Sequence, residues 1–500
     1  MRRLLLVITA WILTGSQILS ATSRVPEKTE VLIIGAGLSG MATAYGLKKA
    51  GIAYHILEIA PRVGGRVRTV SYERPGMPEI RTDSGMEEYW ESNPAVKVLK
   101  ELKLPMSSDM AASSIVISKQ FYPLGGEEPA AFYAKIFSKE EWAALKNFKT
   151  KVTPWIHELT EVQADFKPDA HPIRADLMKL KDISFAKFIS DEKVPVKVAE
   201  WIRISLECEI GTPWDRISAL DGLAEFHIFL GDEGEKCYRV KGGNDQFTDG
   251  MAKAIGLQHI SVNKRVTRII SNGNSVTVNY LDTETNGNGV IKASHVVNTI
   301  PLFRLFEVQF DPPLSEKKQQ AIHTMTWGAY FKVHIFLNKN AEKFWTLNGN
   351  NTLPILTDSD LGVIYDGNPA KKGDVRMVSL LIVADAAERF NLTPLDTVRK
   401  QVIDGLEKMW PGFAKEVTDV EFYRYHPRAI ASWPVGRSRF DDLSNEIRKP
   451  ENNVYMAGDF TESSHSDGAF ISAARVVKQI LETRLKNNVT EVPGKKGKLK

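Results

Sequence analysis

Cysteine is scarce. Two residues in 500, Cys208 and Cys237, exclude a disulfide scaffold and a cysteine-rich metal centre. Whether the two pair with each other stays open. Charge of one sign is lacking too: 65 Lys and Arg against 61 Asp and Glu leave a net +4. Spread over so large a surface, that field is too weak to draw in nucleic acid. No His/Cys cluster has metal-ligand spacing, and no internal repeat is visible. A hydrophobic share of 43%, a charged share of 25% and a mean hydropathy of −0.22 exclude a disordered, fibrous or polytopic membrane chain. The length predicts roughly two to four domains.

The uncharged run that does stand out opens the chain. After Met1-Arg2-Arg3 no charge occurs from Leu4 to Ala21, and the apolar centre, Leu4 to Leu13, is diluted by Thr14, Gly15, Ser16 and Gln17. With small residues at Ser20, Ala21 and Ser23, residues 1–23 have the parts of a cleaved secretory signal peptide. An uncleaved anchor is the alternative, although the dilution makes the run a poor span of ~20 residues. Arg2-Arg3 also fits a twin-arginine route. Export, periplasmic or secreted, is expected, with membrane contact only through this segment.

From Glu30 the chain reads Glu-Val-Leu-Ile-Ile-Gly-Ala-Gly-Leu-Ser-Gly. Val31 to Ile34 suits a buried parallel strand. Gly35, Gly37 and Gly40 complete G-x-G-x-x-G, a helix runs from Met41 to Ala50, and a second strand, Ala53 to Leu57, ends at Glu58. Each residue has a physical task. Gly35 permits the tight turn, Gly37 lets the backbone approach a pyrophosphate, and Gly40 lets helix and strand pack closely. The helix N-terminus attracts phosphate, and Glu58 is placed for ribose hydroxyls. Strand, glycines, helix, strand and acid in order predict a Rossmann-like dinucleotide site.

Directly after Glu58 come Arg62, Gly64, Gly65, Arg66 and Arg68. Guanidinium groups and paired glycines there suit a pyrophosphate. This combination resembles the flavin amine oxidase superfamily, which includes monoamine, polyamine and L-amino-acid oxidases with protoporphyrinogen-oxidase and phytoene-desaturase-like relatives. The resemblance implies FAD rather than NAD. It continues through Asp83-Ser84-Gly85, Gly242-Gly243 with a helix from Phe247 to Ile255, and strands at Ile260 to Ile269 and Ser275 to Tyr280 around an Asn272-Gly273 turn. Asn453 to Asp459 and a helix from Gly468 to Leu485 close the match.

What the resemblance implies is an α/β fold: an FAD-binding domain from residues 29–95, 238–310 and 418–487, interleaved with an α+β substrate domain from 96–237 and 311–417. A basic, disordered tail is expected at 488–500. The resemblance places Val266 at the adenine, Gly458 and Asp459 at the ribityl chain, and Gly468 and Ala469 against the isoalloxazine ring. FAD is expected to bind non-covalently, since no cysteine stands near the C-terminal motif.

For the chemistry, the resemblance makes Lys332, in Trp327-Gly-Ala-Tyr-Phe-Lys332-Val-His-Ile-Phe, the lysine that holds a water at flavin N5. Its side chain should share a strand face with Tyr330 and His334. Ala469 departs from the family's aromatic cage, and Trp433 and Phe470 are the candidates to compensate as pocket walls. His465 is open between facing the flavin and capping its loop. Glu87-Glu88 is open between binding a cationic amine and a solvated surface. The expected reaction is oxidation of a small amine to an imine, with oxygen or another acceptor taking the electrons and oxygen giving hydrogen peroxide. Desaturation of a C–C bond in a lipid-like or tetrapyrrole substrate is the alternative, and a non-catalytic FAD scaffold is the alternative from another class.

Overall fold

Val31, Leu32 and Ile33 have no exposed surface. Their strand, Lys28–Ile34, therefore needs cover on both faces, as in a parallel sheet. It pairs in parallel with Tyr54–Leu57 on one side and Asn288–Asn298 on the other. Between the first two strands runs the helix Leu38–Lys49, which buries Met41, Ala44 and Leu47 and stops where Gly51 turns left-handed at φ 68°. The structure, a computed structural model, describes residues 24–74, 79–110, 113–165, 173–230, 236–342, 344–367, 376–424 and 426–490. The expected signal segment and residues 491–500 of the expected tail lie outside the described residues, while residues 488–490, expected in that tail, belong to the closing helix Ser466–Thr490.

The first sheet has the strand order Ile260–Ser261, Tyr54–Leu57, Lys28–Ile34, Asn288–Asn298, Val276–Asp282, Lys264–Ser271, Gln309–Asp311. Val454–Met456 pairs in parallel with the end of Asn288–Asn298. Distant segments thus build one sheet. The run expected as a single strand from Ile260 to Ile269 divides at Asn263, whose φ of 59° turns the chain. Ile260–Ser261 joins the parallel edge, while Lys264–Ser271 pairs antiparallel with Val276–Asp282 across the Asn272-Gly273 turn. The helix Ser466–Thr490 lies against Leu38–Lys49, and Ala473, Val476 and Ile480 share its core.

The second sheet has the order Val417–Tyr423, Tyr330–Leu337, Met377–Val383, Val363–Asp366, Ile355–Thr357, Ser114–Ile117, Gln120–Tyr122. Helices Lys139–Asp165, Val196–Ile210 and Ala219–Glu225 pack beside it around Phe185 and Phe226. One expectation needs correction here. Residues from 418 were assigned to the nucleotide domain, but Val417–Tyr423 pairs antiparallel with Tyr330–Leu337, so that stretch belongs to the second sheet. Cys208 and Cys237 are both buried, and no disulfide joins them. Among the described residues no helix is long and apolar enough to cross a membrane.

Candidate active site

A cavity of about 450 Å³ runs from the glycine turn of the first sheet to the underside of the second. At its first end Gly35, Gly37, Gly64 and Gly65 form the lining. Gly35 has φ 104°, and a Cβ there would meet Thr299 Oγ1 at 2.4 Å. A Cβ on Gly40 would meet the Gly35 carbonyl oxygen at 1.9 Å, so Gly40 serves packing and does not line the cavity. At Gly37 a Cβ would meet nothing within 4 Å. That position is an open cradle, and no side chain caps the helix that starts behind it. Its first amides and dipole are available to an anion.

Glu58 also lines the cavity and is nearly fully buried. Its carboxylate accepts hydrogen bonds from the amides of Ala36 at 2.6 Å and Ala60 at 2.8 Å, tying the glycine turn to the second strand. Burial raises its pKa against those bonds. Arg62 does not face the cavity. Its guanidinium donates to the carbonyls of Val63 and Gly65 and holds the paired-glycine turn in shape. Arg66 does line the cavity and grips Asp459 with two hydrogen bonds, and Val266 and Gly458 line the cavity too. A glycine cradle, an uncapped helix, a ribose-side acid and an arginine–aspartate pair fit an FAD dinucleotide.

The other end is lined by Glu87, Glu88, Trp90, Cys208, Glu209, Tyr330, Tyr365 and Leu381, with His465 and Ala469. Carboxylates and aromatic rings therefore face each other. Glu88 pairs with Arg239 at 3.1 Å, and Trp90 donates to Glu209 at 3.2 Å. His465 stands between two acids: Nε2 lies 3.2 Å from Glu209 and Nδ1 lies 3.1 Å from Glu225. Burial alone would lower its pKa, but Glu225 and Glu209 outweigh burial and hold it well above the usual histidine value. Glu225 also pairs with Arg439, which pairs with Asp221 at 2.8 Å. His465 is thus a fixed imidazolium in the cavity wall.

Lys332 is wholly buried on Tyr330–Leu337, and its ammonium pairs with Glu87 rather than reaching the cavity itself. Burial lowers it to about 7, opposed by the Asp83 carboxylate. Asp83 is itself raised to about 6 by burial, despite hydrogen bonds from Thr69 and the Asn244 amide.

Two expected pocket walls are corrected. Trp433 is fully buried away from the cavity, with its indole donating to Ser444 at 3.0 Å and the Arg439 guanidinium 4.8 Å from its ring. Phe470 stacks on Phe247 at 5.8 Å between ring centroids inside the first domain's core. Gly468 is also off the lining, and a Cβ there would meet the Ser463 carbonyl oxygen at 2.5 Å. The aromatic lining comes instead from Trp90, Tyr330 and Tyr365. Only Tyr330 had a sequence signal, its alternation with Lys332. Glu209 and Tyr365 carry no motif.

A dinucleotide cradle that opens into a chamber of acids and aromatic rings defines an FAD-dependent oxidoreductase. The chain belongs to the flavin containing amine oxidoreductase family, which matches residues 38–481. It is similar to an L-amino-acid oxidase of Sistrurus catenatus edwardsii, 25% identical over 480 residues covering 89% of this chain and 85% of that protein. The L-amino-acid oxidase BmooLAAO-I of Bothrops moojeni is 24% identical over 485 residues, 92% of this chain and 90% of that protein. The fold is shared with putrescine oxidase, solved with putrescine bound, at a TM-score of 0.74 and 21% identity over 91% of this chain and 99% of that one. It is shared too with cyclohexylamine oxidase from Brevibacterium oxydans IH-35A, at a TM-score of 0.71 and 20% identity over 92% and 100%. Bound in the cradle, FAD supplies the two-electron acceptor, without a covalent link to the chain.

Proposed function

We propose that the protein oxidises a small cationic amine that carries no carboxylate, yielding an imine, with oxygen as electron acceptor and hydrogen peroxide as product. One observation carries the choice of amine over amino acid. The substrate end of the lining holds Glu87, Glu88 and Glu209 but no arginine; the lining arginines are Arg66, Arg265 and Arg304, all at the dinucleotide end. An α-carboxylate needs a guanidinium partner when it is desolvated, and none lines this end.

In this reading the ammonium enters between Trp90, Tyr330 and Tyr365, which offer rings to a cation. Glu87 takes the proton that the ammonium must lose before the amine can give up a hydride, and Lys332 sets the charge of Glu87 from behind. The amides at Gly37 hold the pyrophosphate, Glu58 the ribose, and Asp459 the ribityl chain. Charged walls also suit an amine better than a lipid-like substrate. Export of the protein rests on the composition of residues 1–23.

The test is anaerobic absorbance of the purified holoprotein against a panel of amines and L-amino acids. Bleaching near ~450 nm by an amine, with none by amino acids, is the expected outcome. Bleaching by amino acids alone would overturn the reading.

A further inference from the structure

Two buried polar atoms next to the cavity, His334 Nε2 and Ser379 Oγ, lack hydrogen-bond partners among the described residues, and beside them stands Lys332 Nζ, paired with Glu87. They are not scattered. Lys332 and His334 alternate on one strand, and Ser379 lies directly opposite His334 in the antiparallel register. All three side chains therefore share one face of the sheet. The Asp83 backbone stands beside the His334 ring and favours its proton without completing a hydrogen bond. Unsatisfied buried donors and acceptors are costly, and a native fold answers such a cluster with ordered water.

The far side of the histidine is wired. Tyr72 hydroxyl meets His334 Nδ1 at 2.9 Å and also contacts the Tyr423 hydroxyl. Tyr423 is half-buried, beside the half-buried Glu421. The near side reaches the cavity through the pairing of Lys332 with Glu87. Polar groups thus run from the substrate chamber to the protein surface through an otherwise apolar core.

We propose that His334 and Ser379 hold ordered water and, with Lys332, Tyr72 and Tyr423, form a route by which the substrate's proton leaves the chamber through the second sheet. The proposal rests on the amine reading above. The N–H bond of the ammonium breaks, its electron pair stays on the nitrogen of the neutral amine, and the proton goes to the Glu87 carboxylate. The Lys332 ammonium gives one proton to the water and takes the one on Glu87 in its place. Each later member takes one and gives one: water, His334 in at Nε2 and out at Nδ1, Tyr72, Tyr423, bulk solvent. A lysine lowered to about 7 by burial can act in both directions near neutrality, and a histidine can take a proton at one ring nitrogen and give one from the other before its tautomer resets.

Two measurements on the holoprotein test the route. A high-resolution crystal structure is expected to reveal water bound to His334 Nε2 and Ser379 Oγ; a dry face overturns the proposal. In stopped flow with a pH-indicator dye, an amine that bleaches the flavin should release its proton in step with bleaching. In Tyr72→Phe, release should lag bleaching by about tenfold, and in Ser379→Ala by a smaller factor. Release that stays in step in Tyr72→Phe overturns the route, as does a slowing of both signals together, which a merely structural role would give. If no amine bleaches the flavin, the amine reading falls and takes this role for the route with it, whereas bleaching with release still in step in Tyr72→Phe overturns the route alone.

Discussion

Arg66 and Asp459 meet in a two-point ion pair, Nη1 on Oδ2 at 2.6 Å and Nη2 on Oδ1 at 2.7 Å, although 393 positions separate them. The pair joins the turn after the second strand to the turn after Val454–Met456, the two loops that bound the cradle. A lysine cannot reproduce the planar fork. Arg66→Lys should therefore keep the fold but weaken FAD by at least about tenfold, or ~1.4 kcal/mol, in a fluorescence titration of the apoprotein. Unchanged affinity would show that the pair is only a structural tie.

The cradle glycines separate by what surrounds them. A methyl at Gly37 points into open space, whereas one at Gly40 strikes the Gly35 carbonyl at 1.9 Å. Gly37→Ala should leave the melting temperature of the apoprotein unchanged while FAD binding falls. Gly40→Ala should lower the apoprotein's stability by about 1–3 kcal/mol, the usual scale of overpacking. The opposite pattern would mean that the dinucleotide does not lie over Gly37.

The cradle was legible because its requirements are local. A tight turn at Gly35, a close approach at Gly37 and an acid at the end of the next strand each restrict one residue type at one spacing. The chamber was not legible for the converse reason. Glu209 comes from the helix Val196–Ile210, Tyr365 from the strand Val363–Asp366, and neither position carries a pattern apart from its tertiary neighbours. Residues 418–423 were assigned to the nucleotide domain because a strand's partner in the sheet is set by tertiary contacts and not by its own sequence. Trp433 misled for a related reason, since a buried core indole and a pocket wall look identical in sequence.

Lys332 yields a prediction in rate and one in stability. Lys332→Met should retain FAD but slow anaerobic bleaching by an amine roughly a hundredfold, the low end for a lost acid–base group. Its buried amine titrates near 7 against an ordinary 10.5. Between those values the unfolded chain binds the extra proton, so this group's contribution to stability grows as pH rises from 7 towards 10.5. The variant should lose that increase in a comparison of melting temperatures across the range. Equal slopes for variant and wild type would show that the native amine is not depressed.

His465 should behave in the opposite sense. Its native pKa is raised above the ordinary 6.5, so the stability it lends is full below 6.5 and is lost as pH climbs through the native value. Its partner Glu225 is held well below 4.5, because Arg439 and His465 outweigh the effect of burial. The contribution of Glu225 is therefore present above 4.5 and is lost as pH falls through its lowered value. His465→Gln removes a cation from between Glu209 and Glu225 and leaves Glu225 with Arg439 and Ser464. At pH 7 this should cost about 3 kcal/mol, the lower end for breaking a buried pair, with the gap from wild type closing as the medium becomes alkaline. The same variant frees a carboxylate in the chamber, so KM for a cationic amine should fall or hold while that for any anionic substrate rises. A KM that rises for cationic amines would mean that the imidazolium orients the substrate directly rather than fixing Glu209.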